Sequence, residues 1–418
     1  MNESKSSSTD NFKRNYSLGI LNGVFYHIAY AFIGGSTVLP LFVNTLTNSR
    51  FLVGMVNTIE MAGWPLPQVF IASFVEHKES KKPLYIYLAI LRTLIILIIS
   101  LFIIFFSKTS NSGFLSLFIL LFFVYSIAGG LSGISFMDIV GKVFSSRNRG
   151  SLYGWRMGIG GSLAVFAGFL VRYIIKNFEY PLNFGILFLI ATFFMSLAFL
   201  SFSLIKEPLS TAWKMKKKPF LHFIKDGIRT LKNDRMFVSL FFIRIFLGIN
   251  MMSAPFYILF IKQNHGIALS TVGLFVSTQT LGAIVSNFLW GNLSKTVGNH
   301  IVLRYTSLIS ILPPILILSS NLFPFSLLLD LLIFFLLGVS IQGIWLGFPN
   351  ALLDISPDKK IPTYAGFMNT MISPVLFLPM IGGLLVDHLS FFILFSISIV
   401  ASVFALLFSQ RFSIRRGS

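Results

Sequence analysis

Ionisable residues lie well inside stretches that are otherwise apolar, among them His27, Glu60, Arg92, Arg156, Arg244 and Asp330. If those stretches cross a lipid bilayer, each charge costs at least about 2.5–3.5 kcal/mol at mid-depth, so each needs a partner or a task. At about 1.5 Å per residue, His27 lies roughly 15 Å and Glu60 roughly 14 Å into their runs, Arg244 roughly 12 Å and Asp330 roughly 10 Å. A carboxyl group that alternates between wet and dry surroundings can take up and release a proton, which makes Glu60 a candidate proton carrier. An imidazole titrates near neutrality, so His27 can serve the same purpose or act as a packing residue. Arg244 suits an anionic group on a ligand, or a counter-charge for Glu60. Arg92 and Arg156 read first as groups that fix helix packing.

A second stretch that could do chemistry is "RNRGSLYGWRMGIGG", residues 147–161. Glycine-rich loops before helices cradle phosphates. No strand precedes this one, and the G-x-G-x-x-G pattern is not completed. Gly154, Gly158, Gly161 and Gly168 instead share one face of a helix, and a strip without side chains lets another helix approach closely. The stretch therefore predicts a packing face.

The elements that must position these residues follow from composition. The 418 residues are 55% hydrophobic and only 11% charged, with a mean hydropathy of +0.81. A soluble domain carries about 25% charged residues, so this chain reads as an all-α polytopic membrane protein. There is no cysteine, which removes disulfides and thiolate metal sites, and the six histidines show no ligand spacing. No metal site or cofactor is expected. Apolar runs of about 20 residues cross the hydrocarbon. Twelve are present, near 17–43, 51–75, 84–106, 113–138, 151–175, 182–205, 236–262, 268–293, 301–319, 323–347, 363–389 and 390–409.

With the N-terminus placed in the cytoplasm, 25 of the 33 lysines and arginines fall on cytoplasmic segments and five on external loops. That asymmetry orients the chain with both termini cytoplasmic and explains the net charge of +19 without nucleic acid. The expected organisation is a disordered tail (1–16), a six-helix bundle (17–205), a basic linker (206–235), a second six-helix bundle (236–409) and a short tail (410–418). In the linker, Phe220, Phe223, Ile224, Ile228 and Leu231 recur at helical spacing, which predicts an amphipathic helix on the inner leaflet.

The two bundles repeat. A shift of 219 lays Val53, Gly54 and Gly63 on Val272, Gly273 and Gly282, with Glu60 on Gln279 and Glu76 on Lys295. A shift of 212 lays Gly154 on Gly366, and a shift of 215 lays Pro40 on Pro255. Six spans, a basic linker and six more of the same pattern form a pseudo-symmetric duplicated architecture.

This layout resembles the major facilitator superfamily over essentially the whole chain. The family's signature loop between the second and third helices, G-x-x-x-D-R-x-G-R-R, has degenerate echoes in both halves. "ASFVEHKESKKP" keeps Glu76, Lys81 and Lys82, and "GNLSKTVGNH" keeps Gly291 and Gly298 but has Lys295 at the acidic position. The resemblance implies that these residues gate transport, and that the fifth helix packs its glycine face on the eighth. It also implies that helices one, four, seven and ten line a central cavity. Asn22, Tyr26, His27, Tyr30, Tyr125, Arg244, Asn250, Tyr257, Asp330, Gln342 and Trp345 lie on those helices and become candidate cavity residues. Two marks of the family's drug/proton antiporters are missing: the fourth span has no arginine and the fifth no proline.

The resulting expectation is a secondary transporter of a small molecule in the cell membrane, working as a monomer by alternating access. It would be driven by a proton or other ion gradient, since no nucleotide motif is present. A family-shaped sensor or scaffold is the main alternative. A polytopic membrane enzyme is a weaker one, because the loops offer only Glu76, Glu79, Asp354 and Asp358, without a paired constellation.

Overall fold

The computed structural model describes residues 2–63, 65, 80–106, 112–208, 234–320, 326–356 and 361–412. Every regular element among them is helical, and eleven helical segments are long and apolar enough to cross a membrane. They coincide with eleven of the twelve expected spans. The second appears as a helix over Arg50–Gly63, and its continuation lies outside the described residues, as do Glu76 and the amphipathic part of the linker.

In the first half, α1 (Asn2–Ile33) and α2 (Val38–Leu46) form span one, and α3 (Arg50–Gly63) begins span two. Spans three to six are α4 (Lys82–Phe106), α5 (Ser112–Val143), α6 (Ser146–Asn177) and α7 (Leu182–Ser203). In the second half, α8 (Arg235–Met251) and α9 (Tyr257–His265) form span seven, and α10 (Val272–Thr296) forms span eight. Span nine is α11 (Asn299–Ile309) with α12 (Leu312–Ser319), and span ten is α13 (Leu327–Ile355). Span eleven is α14 (Ile361–Ile372) with α15 (Leu378–His388), and span twelve is α16 (Phe391–Arg411).

The segment expected to be a disordered tail is instead the start of α1. Once the apolar part of a helix is formed, each added residue costs little, so the helix propagates into its polar flank.

The interrupted spans carry proline at or near the break. Span one breaks at residues 34–37 ahead of Pro40, and span seven breaks around Pro255, the position that repeats it. Pro313 and Pro314 open α12, and Pro374 and Pro379 flank the joint between α14 and α15. Proline lacks the N–H that would continue the ladder, and inside a membrane such a gap survives only where protein or water satisfies the freed carbonyls.

The chain packs as two units. Unit 1 holds residues 1–42, 59–215 and 269–277, and unit 2 holds 43–58, 216–268 and 278–418. Each unit therefore differs from its sequence half by one exchanged piece. The first turns of span two belong to unit 2, and the first turns of span eight to unit 1.

In unit 1, α1 packs on α6 and α7, and α4 on α5 and α7. In unit 2, α8 packs on α16 and α13, and α11 on α13 and α16. An asparagine pins the equivalent helix pair in each unit, though the two occupy different positions of the repeat. Asn22 Nδ2 donates to Ala198 O at 2.8 Å, tying span one to span six. Asn250 Nδ2 donates to Ser402 Oγ at 2.8 Å and Ser310 O at 3.1 Å, tying span seven to spans twelve and nine. Both side chains are buried, so neither lines a cavity, contrary to expectation. A buried amide with its donors satisfied fixes helix rotation.

Close approaches repeat as well. Gly63 lies against Ser126 of α5, and Gly282 against the Phe335 backbone of α13, so spans two–four and eight–ten meet at equivalent glycines. Asp387 of α15 caps α3, its carboxylate accepting from Arg50 N at 2.8 Å and Phe51 N at 2.9 Å. Beside it, Gly54 lies on the Pro379 carbonyl and Gly383 on the Arg50 carbonyl, all within unit 2.

The chain leaving α7 ends in a charge cluster. Glu207 accepts from Ser80 Oγ at 2.7 Å, Lys81 N at 3.1 Å and Lys82 N at 3.0 Å, capping α4. Lys142 Nζ bridges Glu207 (2.9 Å) and Asp138 (2.6 Å), and Lys81 Nζ reaches Asp138 at 2.8 Å. Burial would raise the Glu207 carboxyl, but the bonds from Lys142, Ser80 and the two backbone N–H groups outweigh it and hold it below the usual glutamate range. A carboxyl depressed in the folded state stabilises above its unfolded value of about 4.3, and this is lost as pH falls through the folded value. Glu207→Gln should therefore lower stability by about 1–3 kcal/mol at neutral pH, with the gap to the parent closing on acidification. Parallel unfolding curves at every pH would refute this role.

Candidate functional site

The break in span one organises the polar centre of unit 1. After Ile33 the helix stops, and Thr37 N and Leu39 N both donate to Gly34 O, at 3.2 and 3.1 Å. Glu60, one turn before the end of α3, places its carboxyl directly over Gly35, where any Cβ would collide with it. The carboxyl thus sits just ahead of α2, where an anion is favoured by the helix dipole. The Tyr30 side chain hydrogen-bonds Glu60, and the Tyr26 and Tyr30 rings stack with centroids 6.5 Å apart. Tyr30 keeps 42% of its surface exposed, and Tyr26, His27 and Glu60 are half-buried.

Arg92 lies deeper, 6% exposed. Its guanidinium stacks 4.5 Å over the Tyr125 ring and 4.9 Å over the Phe199 ring. Arg156 lies 5.1 Å over Phe136 and 5.5 Å over Tyr153, fills the space above Gly23 and donates to Gly19 O at 3.4 Å. Aromatic faces attract cations that lack carboxylate partners. Among the described residues, no carboxylate forms an ion pair with Arg92, Arg156 or Arg244. Among the described residues, no arginine forms an ion pair with Glu60.

In unit 2, Arg244 of α8 stacks 4.9 Å over Phe348 of α13. Gln342 Nε2 donates to Asn287 Oδ1 at 2.8 Å, and Trp345 is 66% exposed. Two other cavity candidates belong to the packing. Tyr257 is fully buried, its ring 4.8 Å from that of Phe395. Asp330 is 0% exposed, with Oδ2 3.1 Å from His265 Nδ1. Ser320 Oγ donates to Ile317 O at 2.7 Å and so accepts from His265 Nε2 at 3.1 Å. The His265–Asp330 bridge joins α9 to α13, with Ser320 at the end of α12 on the other ring nitrogen.

The glycine face is corrected in part. Gly168 is in contact with Gly273 and Ser277 of the eighth span, and Gly161 is buried. A Cβ at Gly154 or Gly158 would meet nothing within 4 Å, so those two are not packed. Gly160, off the stripe, takes over by seating Val24 and His27. The stripe's spacing sets which residues share a face, but helix crossing decides how much of that face is covered. Of the gating candidates, Lys82 Nζ donates to Ile205 O at 2.8 Å, and Lys81 belongs to the charge cluster above. Gly291 faces open space, and Gly298 holds φ +117° ahead of α11, a conformation that suits glycine.

The structure thus brings Tyr26, Tyr30 and Glu60 together, with the cavity candidate Tyr125 near them, and adds Gly35 and Arg92. The Gly34–Gly35 pair was the available sequence signal for the break. No sequence pattern links His265 to Asp330, or Asp387 to Arg50.

The membrane-spanning fold, its internal repeat and a polar centre built on broken helices define a transporter-type protein. A family model described as Major Facilitator Superfamily matches residues 20–373, with a second match over 240–416, and the chain belongs to that family. It is accordingly a multi-pass membrane protein of a transporter family. No curated protein matches it in sequence. Among solved structures it is similar to a POT family transporter in complex with a thioalcohol-conjugated peptide, at TM-score 0.70 and 14% identity, covering 95% of this chain and 97% of that one. A bacterial homologue of the iron transporter ferroportin gives TM-score 0.68 at 14% identity, covering 97% and 99%. The nucleoside transporter NupG gives 0.64 at 13%, covering 96% and 98%. At these identities the likeness concerns the fold.

Proposed function

We propose that this chain is a proton-coupled secondary transporter of a small molecule, working by alternating access in the cell membrane with both termini in the cytoplasm. The observation that carries the coupling is Glu60: a carboxyl within a membrane span, bonded to Tyr30, in no ion pair among the described residues and resting on the break in span one. A carboxyl in that setting exchanges a proton without first releasing an arginine. The break allows the two parts of span one to respond to its charge. The orientation rests on the 25 basic residues assigned to cytoplasmic segments.

The test is solute flux in proteoliposomes under an imposed pH gradient, across a panel of peptides, nucleosides, metal ions, organic acids and sugars. At least one solute should accumulate, and a protonophore should collapse the accumulation. Flux indifferent to the gradient would remove proton coupling, and no flux of any solute would favour the sensor or scaffold alternative.

A further inference from the structure

Arg244 differs from the other two arginines within spans. Arg92 is buried, and Arg156 is anchored to the Gly19 carbonyl. Arg244 is enclosed by protein yet keeps accessible surface, and no hydrogen bond or ion pair engages it among the described residues. Its one described interaction is the stack on Phe348, which covers a face of the guanidinium and leaves the edge, where the N–H donors project, unoccupied. A cation held at this depth without a protein partner is costly, so the fold retains it for something that arrives from outside.

The surroundings narrow what that is. On α13, Gln342, Trp345 and Phe348 follow one another at three-residue spacing and so share a face. Phe348 underlies the charge, Trp345 on the same face is exposed, and Gln342 ends the row in its bond to Asn287. The planar fork of arginine matches a carboxylate with two parallel hydrogen bonds. One positive charge neutralises one negative charge, whereas a phosphate dianion would leave a buried charge uncompensated.

We propose that the substrate is a small carboxylate and that Arg244 receives its carboxyl group. This rests on reading the chain as a small-molecule transporter.

The test uses the purified full chain in lipid nanodiscs. Equilibrium binding of radiolabelled pyruvate, lactate, glutamate and benzoate is measured, with lactamide, benzamide and inorganic phosphate as comparisons. At least one carboxylate should bind saturably, and its amide should not. Arg244→Met should weaken that binding about 10- to 100-fold, as expected for a charge-assisted hydrogen-bonded pair, and Arg244→Lys should recover part of it. Because no protein group loses a hydrogen bond in Arg244→Met, the unfolding temperature of the ligand-free protein should stay level or rise. Several results would overturn the assignment: no carboxylate bound, amide binding equal to acid, phosphate bound instead, unchanged binding in Arg244→Met, or a lowered unfolding temperature in that variant. Arg244-dependent binding without flux in proteoliposomes would remove the transport reading alone. Gradient-driven flux of an uncharged solute without carboxylate binding would remove this proposal alone.

Discussion

Glu60→Gln is expected to abolish proton-driven accumulation, bringing the internal-to-external solute ratio down to one, while the protein still inserts, folds and binds. Glutamine has the size of a protonated glutamate, and the matching position in the second half already carries Gln279, so a helix of this pattern accommodates the amide. The amide oxygen can still accept from Tyr30. With no arginine paired to Glu60 among the described residues, the substitution leaves no orphaned cation, and stability should change by less than about 1 kcal/mol. Gradient-independent exchange of solute across the membrane should persist, because it needs no net proton movement. Full accumulation by Glu60→Gln would move the proton site elsewhere, and a large drop in unfolding temperature would give Glu60 a structural part.

Leucine at Gly168 or at Gly273 should disable the protein far more severely than leucine at Gly158. A Cβ at Gly168 would stand 2.5 Å from Gly273 O and 2.8 Å from Ser277 N. The crossing is backbone on backbone, tightened by Ser277 Oγ donating to Val165 O at 2.7 Å. Overpacking a tight contact costs about 1–3 kcal/mol when side chains can adjust, and more where the neighbour is main chain. Gly158 meets nothing within 4 Å, so its leucine has room. Thermal unfolding and flux of the three variants, measured side by side, decide the matter. Equal damage from Gly158→Leu would mean that its open face closes against something during the transport cycle.

These contrasts indicate what a linear sequence conveys about such a molecule. Span lengths and the repeat were readable because lipid imposes an apolar run of fixed length, and duplication leaves pairs such as Pro40 and Pro255 at matching breaks. Glu60 was readable because a carboxylate in such a run is conspicuous. Its setting was not, since Gly35 and Tyr30 meet it only after two helices cross. Residue type also misled. Asn22, Asn250 and Asp330 looked like cavity groups, but a polar side chain serves equally well as a tether when its partner is a carbonyl, hydroxyl or imidazole on another helix. Periodicity placed Gly154 and Gly158 on the packed face, yet the contact lies further along at Gly168. Arg92, read as a packing residue, does pack, but on aromatic rings rather than an acid.

The cap that Asp387 places on α3 bears on how the chain is made. Ribosomes deliver spans one to six long before residue 387 exists, so the first turn of α3 enters the membrane with its leading N–H groups lacking that carboxylate and Gly54 lacking Pro379. The eighth span supplies the mirror case, since Gly168 waits in unit 1 for Gly273. Neither half is a finished product on its own. Each unit is completed by a segment from the other half of the sequence.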